Sequence, residues 1–484
     1  MTDKDDKIVL EIAAKDAPTD ITRGYNIEFV WKSTTYSRMK EGLKRFWRNA
    51  DSISKYLYER ILGHDPKHPD KYGHNSAHYE VTCSTNLPTL NLYQKQAVKE
   101  ALRNPLTLIQ GPPGTGKTIT SSSIVYQLAL MNRNTKLKNN KIMVCAPSNI
   151  VVDHLAETIN RTGIKVVRLC SKSREIISSE AEPLTLHYQV RSLEIKNLAN
   201  LKKLQSLLDE HGELSKEDEA QYKKMYTHAE RLILDSAEVI CCTCSSSFDP
   251  RLNCYTFGQV LVDEATQAVE PECLLPLLKG AKKAILVGDH MQLGPVVVCR
   301  EVANAGLKVS LFERLVKIGV KPVMLQIQYR MHPELSAFSS NTFYEGGLQN
   351  GISANDRESN NSFMWPNAAR PILFWHVRGY EEISASGTSY LNRAEVEKIN
   401  NILSEMVEGG ISMNRIAIIT PYKGQRGYLT QSLLRTGSLK QPMYKDLEVA
   451  SIDSFQGREK DYIIISTVRS SEGQGIGFMK DERR

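Results

Sequence analysis

The chain has 484 residues, 41% of them hydrophobic and 24% charged, with 29 Gly and 19 Pro. That balance suits about two to four globular domains and excludes a disordered, collagen-like or disulfide-scaffold protein. Lys plus Arg exceed Asp plus Glu by 62 to 55, a net charge of +7 that admits a polyanionic partner without demanding one.

The opening residues, Met1-Thr2-Asp3-Lys4-Asp5-Asp6-Lys7, are too charged for an apolar signal core, and no apolar run approaches the ~18 residues of a membrane span. A soluble, cytoplasmic, monomeric protein with no membrane partner is expected. The cysteines number nine, an odd count, with no C-x-x-C spacing, and read as reduced core thiols. Ile8–Leu10 and Ile27–Val30 are strand-like. A basic amphipathic helix follows, with Met39, Leu43, Phe46 and Trp47 on one face. His64, His68, His74, His78 and Cys83 lie beyond it. Pro66, Pro69 and Gly73 break the helix that would align them, so no zinc site is expected.

From residue 86 to 319, apolar runs alternate with helical stretches. Leu106–Ile109, Ile142–Cys145, Val166–Leu169, Val239–Cys242, Val260–Val262 and Ile285–Val287 have the unbroken apolar character of strands buried on both faces of a parallel sheet. Residues 171–236 interrupt the rhythm and predict an inserted helical hairpin. Leu198, Leu201, Leu204 and Leu208 line one helix; Tyr222, Met225, Ala229 and Leu232 line the other, which Ser215 caps. From 320 to 484 the alternation resumes at Val323–Leu325, Ile372–Phe374, Ile416–Ile419, Leu447–Ser451 and Tyr462–Ile465, predicting a second α/β domain. Residues 1–85 form a separate strand and helix region.

Gly111-Pro112-Pro113-Gly114-Thr115-Gly116-Lys117-Thr118 follows the first strand and opens a helix. Glycines at these positions let backbone N–H groups turn toward phosphate, and the helix N-terminus adds its positive dipole end. Lys117 then reaches the β- and γ-phosphates of ATP, and Thr118 ligates Mg²⁺. A second carboxylate must complete the metal shell. The strand Val260–Val262 ends in Asp263-Glu264, which places Asp263 on the Mg²⁺ and Glu264 on the attacking water. A glutamate beside the aspartate favours hydrolysis over transfer and argues against a kinase.

With these residues placed, the chain resembles the superfamily 1 helicases, and closely the up-frameshift RNA helicase (regulator of nonsense transcripts) family, over nearly all of residues 25–484. The resemblance implies two tandem RecA-like domains. Asn91-Leu92-Tyr93-Gln94 resembles the Q motif, implying that Gln94 reads the adenine edge. Ala146-Pro147-Ser148-Asn149 resembles a motif that grips the nucleic-acid backbone, and Thr243, between Cys242 and Cys244, sits where a second grip is expected. Gly288-Asp289-His290-Met291-Gln292-Leu293-Gly294-Pro295 resembles motif III, with Gln292 sensing the γ-phosphate. Gln328-Tyr329-Arg330-Met331-His332-Pro333 resembles motif IV, implying Tyr329 stacked on adenine and Arg330 as an arginine finger. The runs Phe343–Asn350 and Ser386–Arg393 point to the same subgroup. Ser451–Glu459 resembles motif V, with Gly457 and Glu459 near the phosphates, and Thr420, Pro421, Ser454, Val468 and Arg469 on the nucleic-acid side.

The resemblance implies an ATP-dependent helicase of the nonsense-mediated decay type, moving 5′ to 3′ on single-stranded RNA, with DNA left open as a substrate and decay factors as protein partners. Against the family pattern, the chain lacks an N-terminal Cys/His-rich zinc domain and begins near the end of a β-barrel. It also stops before motif VI, so a chain truncated at both ends, with poor hydrolysis, is expected. Two alternatives stay open: a nucleic-acid clamp that binds ATP without efficient turnover, and a sister helicase of DNA repair, replication or RNA silencing.

Overall fold

The computed structural model describes residues 33–66, 81–82, 84–134, 140–175, 177, 179–193, 199–357, 363, 365–367, 370–439, 441–469, 475 and 477–480. The strand-like runs before residue 31, and His68, His74, His78 and Cys83, lie outside them. Among the described residues no helix is long and apolar enough to cross a membrane.

Helices α1 (Thr34–Arg48) and α2 (Lys55–Ile61) precede the first sheet. Met39 and Phe46 of α1 pack on Leu275, Leu278 and Phe248, and the buried Gly42 lies on the same side. A methyl group at Gly42 would meet the Leu275 side chain, so the helix approaches its neighbour along the glycine. That contact line corrects the expected face: Leu43 and Trp47 point outward, Trp47 at 85% exposure.

Then come α3 (Leu92–Arg103), β1 (Leu106–Gln110), α4 (Lys117–Asn134), β2 (Ile142–Ala146), α5 (Asn149–Asn160) and β3 (Val166–Arg168). The insertion holds α6 (Leu186–Ser192), α7 (Ala199–His211) and α8 (Lys216–Ser236), capped by Ser215. Its inward residues on α8 are Ala229, Ile233 and Leu234; Leu232, expected inside, is exposed. β4 (Val239–Thr243), β5 (Gln259–Val262), α9 (Glu270–Leu277) and β6 (Lys283–Gly288) follow, then α10 (Arg300–Val302), α11 (Leu311–Lys317) and β7 (Val323–Met324).

These seven strands form one parallel sheet in the order β3-β4-β2-β5-β6-β1-β7. Successive side chains on a strand leave opposite faces, and the core divides accordingly. Leu108, Met143, Cys145, Val260 and Val262 join α2, α8, α9 and α11 on one face. Ile109, Ile142, Val144, Leu261 and Ile285 join α3, α4 and α5 on the other. Burial on both faces is why these strands lack polar alternation. The run at Val323, placed by the sequence pattern in the second repeat, instead pairs with β1 as the edge of the first sheet.

A connecting segment carries β8 (Ile327–Gln328), α12 (Pro333–Phe343) and β9 (Gln349–Asn350), with β8 and β9 paired in parallel. Beyond it lie the hairpin β10 (Glu382–Ile383) and β11 (Tyr390–Leu391), then α13 (Arg393–Glu408), β12 (Ile416–Thr420), α14 (Lys423–Thr436), α15 (Gln441–Tyr444), β13 (Glu448–Ser451), α16 (Ile452–Phe455) and β14 (Tyr462–Ile465). The second sheet is parallel, ordered β13-β12-β14, and α13 and α14 share its core with Ile416 and Ile418. Ile372–Phe374, expected as a strand, is exposed coil. An apolar run becomes a strand only where a partner offers hydrogen bonds, and this one finds none among the described residues. The architecture is two tandem RecA-like α/β units.

Candidate active site

The phosphate loop joins β1 to α4. Gly114 and Gly116 adopt φ of +75° and +77°, a left-handed backbone that side chains rarely tolerate. The loop braces itself: Thr115 Oγ1 donates to the Pro112 carbonyl at 2.7 Å. Lys117 Nζ donates to the Gly111 carbonyl at 2.9 Å and lies 3.5 Å from Glu264 Oε1. Thr118 stands on the wall of the same cleft.

β5 delivers the two acids. Asp263 is 1% exposed; its Oδ1 accepts from the Glu264 N–H at 2.8 Å and its Oδ2 from Ser121 Oγ at 3.4 Å. Burial, and then the neighbouring Glu264 charge, push the Asp263 carboxyl up to about 7. Glu264 itself has φ of +49°, and strain at a non-glycine residue of this kind collects at functional sites. Gln267 Nε2 holds its Oε2 at 3.0 Å. The hydroxyl of Thr118 and the carboxylate of Asp263 are hard oxygen donors, and a second carboxylate stands beside them, which fits Mg²⁺.

Asp289, at the end of β6 and 1% exposed, organises the loop that carries Gln292, the expected sensor. Gln292 Nε2 donates to its Oδ2 at 2.7 Å. Across the cleft, the Tyr329 N–H donates to the Gly114 carbonyl at 2.9 Å, and Asn91 Nδ2 donates to the Tyr329 hydroxyl at 3.0 Å. A methyl group at Gly114 would meet Arg330, so the segment that carries Arg330 lies directly on the phosphate loop. The Arg330 guanidinium pairs with Glu459. Gln456 Nε2, in the turn after α16, donates to the Leu293 carbonyl at 3.0 Å, and Gly457 beside it has φ of +81°. The resulting cleft, of about 2380 Å³, is lined by Lys117, Thr118, Glu264, Gln292, Arg330 and Glu459 among others.

Gln94, expected to read adenine, is 5% exposed, and its amide serves the chain first. Its Oε1 accepts from the Asn91 N–H at 3.0 Å and its Nε2 donates to the Thr115 carbonyl at 3.1 Å, a helix cap that also ties α3 to the phosphate loop. One N–H and one lone pair of that amide remain.

The residues expected on the strand side sit at the carboxyl ends of parallel strands, where open α/β sheets bind ligands. Ala146 and Thr243 are register partners, so the two grips expected of the first sheet are neighbours. Pro147 is half-buried. Ser148 Oγ caps α5 through the Val151 N–H at 3.3 Å, and Asn149 Oδ1 accepts from Arg168 Nη2 at 2.9 Å. Thr243 Oγ1 donates to Ser246 Oγ at 2.9 Å. In the second sheet, Pro421 is half-buried and Ser454 exposed. Two expectations are corrected. The side chains of Thr420 and Val468 are buried, at 0% and 1% exposure, and cannot present a surface to a strand. Arg469 is held by Glu381, Nε to Oε2 at 2.9 Å, over the Tyr390 ring. Sequence reasoning assigned no role to Asp289 or Tyr344, although both stand inside the motif runs it singled out.

This fold and site define a tandem RecA-like P-loop protein. Two AAA-domain family models match the chain, one over residues 89–221 and 194–300, the other over 307–484. It is 52% identical over 481 residues to "Regulator of nonsense transcripts 1 homolog" of Arabidopsis thaliana, covering 99% of this chain and 38% of that protein. It is 47% identical to "ATP-dependent helicase upf1" of Schizosaccharomyces pombe, covering 99% of this chain and 52% of that protein. The chain therefore spans between about two fifths and half of the length of these relatives. Among solved structures, an arterivirus nonstructural protein 10 helicase is similar at 14% identity and a TM-score of 0.31, over 75% of this chain and 63% of that one, too slight a likeness to argue from. The chain belongs to the regulator of nonsense transcripts 1 family.

Proposed function

We propose that the chain is the motor of an ATP-dependent RNA helicase of nonsense-mediated decay, acting in the cytoplasm on single-stranded RNA, with DNA as a second substrate. Residues 86–319, together with the edge strand Val323–Met324, form the ATP-binding lobe with its insertion at 171–236, the residues beyond that strand to 484 belong to the second lobe, and residues 1–85 are the β-barrel remnant and stalk region that the resemblance implies. The observation that carries this reading is the seating of Arg330 on Gly114 of the phosphate loop.

In this reading the phosphates of ATP draw Lys117 from the Gly111 carbonyl and Arg330 from Glu459. Thr118 and Asp263 would hold Mg²⁺, which when bound would neutralise phosphate charge. Water attacks the γ-phosphorus, Glu264 takes its proton, and the bond to the leaving oxygen of ADP breaks. Gln292 reads the γ-phosphate, and Tyr329 flanks the adenine. An arginine finger is worth ~10³–10⁵ in rate by stabilising transition-state charge. Because Gln456 touches the sensor loop, closing and opening of the cleft shifts the grips at Pro147–Asn149 and Thr243 against those of the second lobe at Pro421 and Ser454. Grips on a phosphate backbone imply little sequence preference and a steep salt dependence.

The deciding measurement is phosphate release with and without single-stranded RNA, for the chain as it stands and for Lys117→Ala and Glu264→Gln. Stimulated release that both substitutions abolish supports the reading. Turnover surviving in Lys117→Ala would overturn it, and ATP-altered RNA affinity without release would replace the motor with a clamp.

A further inference from the structure

The run Phe343–Asn350 has no place in the chemistry above, yet its tyrosine reaches the sensor loop. Tyr344 is the residue that caps the C-terminus of α12, and it is 7% exposed. Its hydroxyl donates to Asp289 Oδ2 at 2.6 Å, the same oxygen that accepts Gln292 Nε2 at 2.7 Å. The other oxygen, Oδ1, accepts from Gln110 Nε2 at 3.3 Å and from the Met291 N–H at 3.2 Å. One buried carboxylate thus joins the strand before the phosphate loop, the sensor loop and the end of α12.

The backbone makes this contact deliberate. Glu345 and Gly346 follow with φ of +53° and +72°, turning the chain sharply once the tyrosine is anchored. Burial, with the adjoining Asp289, holds the phenol well above its ordinary pKa, so it remains a donor. Just before the other end of the same helix, whose N-cap is His332, come Tyr329 and Arg330, seated on Gly114. An amide with one N–H pinned has its orientation set, so the Asp289 contact decides which atoms Gln292 turns toward the cleft.

We propose that Tyr344 is a positioning residue: by sharing the Asp289 carboxylate with Gln292, it orients the phosphate sensor only when α12, the helix that follows Arg330, is docked. Arrival of the guanidinium and alignment of the sensor are then one event. The inference rests on the helicase reading and specifies how that site is switched.

The test compares the unmodified chain, Tyr344→Phe, Gln292→Ala and the double variant in RNA-stimulated ATP hydrolysis, ADP binding and hydrogen exchange of residues 288–294. Tyr344→Phe keeps the ring and removes one hydrogen bond to a charged group, so kcat falls about tenfold while KM for ATP and ADP affinity change less than about twofold. The double variant is no slower than Gln292→Ala, because the tyrosine acts through the glutamine. An unimpaired Tyr344→Phe, or losses that multiply in the double variant, overturns the proposal. If the unmodified chain releases no phosphate, the helicase reading fails by itself. Hydrogen exchange then decides this inference: faster exchange of the 288–294 loop in Tyr344→Phe supports it and unchanged exchange refutes it.

Discussion

Gly114→Ala tests the seam between the phosphate loop and Arg330, the proposed arginine finger. At φ of +75° an alanine costs about 1 kcal/mol in backbone energy alone. The larger effect is steric. The new methyl would lie inside contact distance of the Arg330 side chain and 3.0 Å from the Arg330 backbone nitrogen, and neither is the free end of a flexible chain. The two segments must part by about an ångström, stretching the bond from the Tyr329 N–H to the Gly114 carbonyl, and a displacement of that size costs about a hundredfold in rate. Gly163→Ala is the control: its φ is +82° and nothing lies within 4 Å of the added methyl, so it carries the backbone cost without the collision. Each variant should lower the melting temperature of the first lobe by about 3 °C. RNA-stimulated phosphate release should fall only in Gly114→Ala, with ADP still bound. Equal rates in Gly114→Ala and the unmodified chain, or an equal loss in Gly163→Ala, would refute the seating of Arg330 as the source of activity.

Glu272 on α9 is pushed up to about 7 by burial, from an ordinary 4.5. Between those pH values the folded chain keeps a proton that the unfolded chain has released, so stability falls as pH rises through the window and the full cost applies above about 7. Glu272→Gln should therefore raise the melting temperature at pH 8, by up to about 3 kcal/mol of stability, and leave it unchanged near pH 4; a constant difference across thermal melts at both pH values would contradict this. Arg168 is fully buried, with Nε 2.7 Å from Asp153 Oδ1 and its other nitrogens on the Leu169 carbonyl and Asn149. Arg168→Met takes one of two arginines from Asp153, whose Oδ2 keeps Arg174 Nη2 at 2.9 Å, and should cost about 3 kcal/mol in urea unfolding, part of it recovered by adding Asp153→Leu. No recovery in the double variant would show that the arginine matters through packing alone.

Local motifs were legible because their physics is local. Gly114 and Gly116 announce a left-handed loop, Lys117 and Thr118 follow in fixed covalent order, and Asp263-Glu264 must project from the end of whichever strand precedes them. Apolar runs buried on both sheet faces also declare themselves, which is why six strands of the first sheet stand where the pattern puts them. Outcomes that depend on a partner stayed hidden. Whether Val323 closes the first sheet or opens the second is settled by which edge is free, and Ile372–Phe374 has the composition of a strand without a neighbour to pair with among the described residues. The face of α1 followed Gly42, because close approach of two helices outweighs side-chain hydrophobicity.

The sequence by itself determined which chemistry this protein carries: the phosphate loop, the acid pair and the arginine are set by residue type and spacing within short segments. Only the tertiary structure decided how those parts are coupled. Arg330 is 216 residues from Gly114 and Tyr344 is 55 from Asp289, and contacts of this kind arise from packing geometry that no local periodicity encodes. A carboxylate buried among the donors of three separate segments exists only once the chain has brought them together.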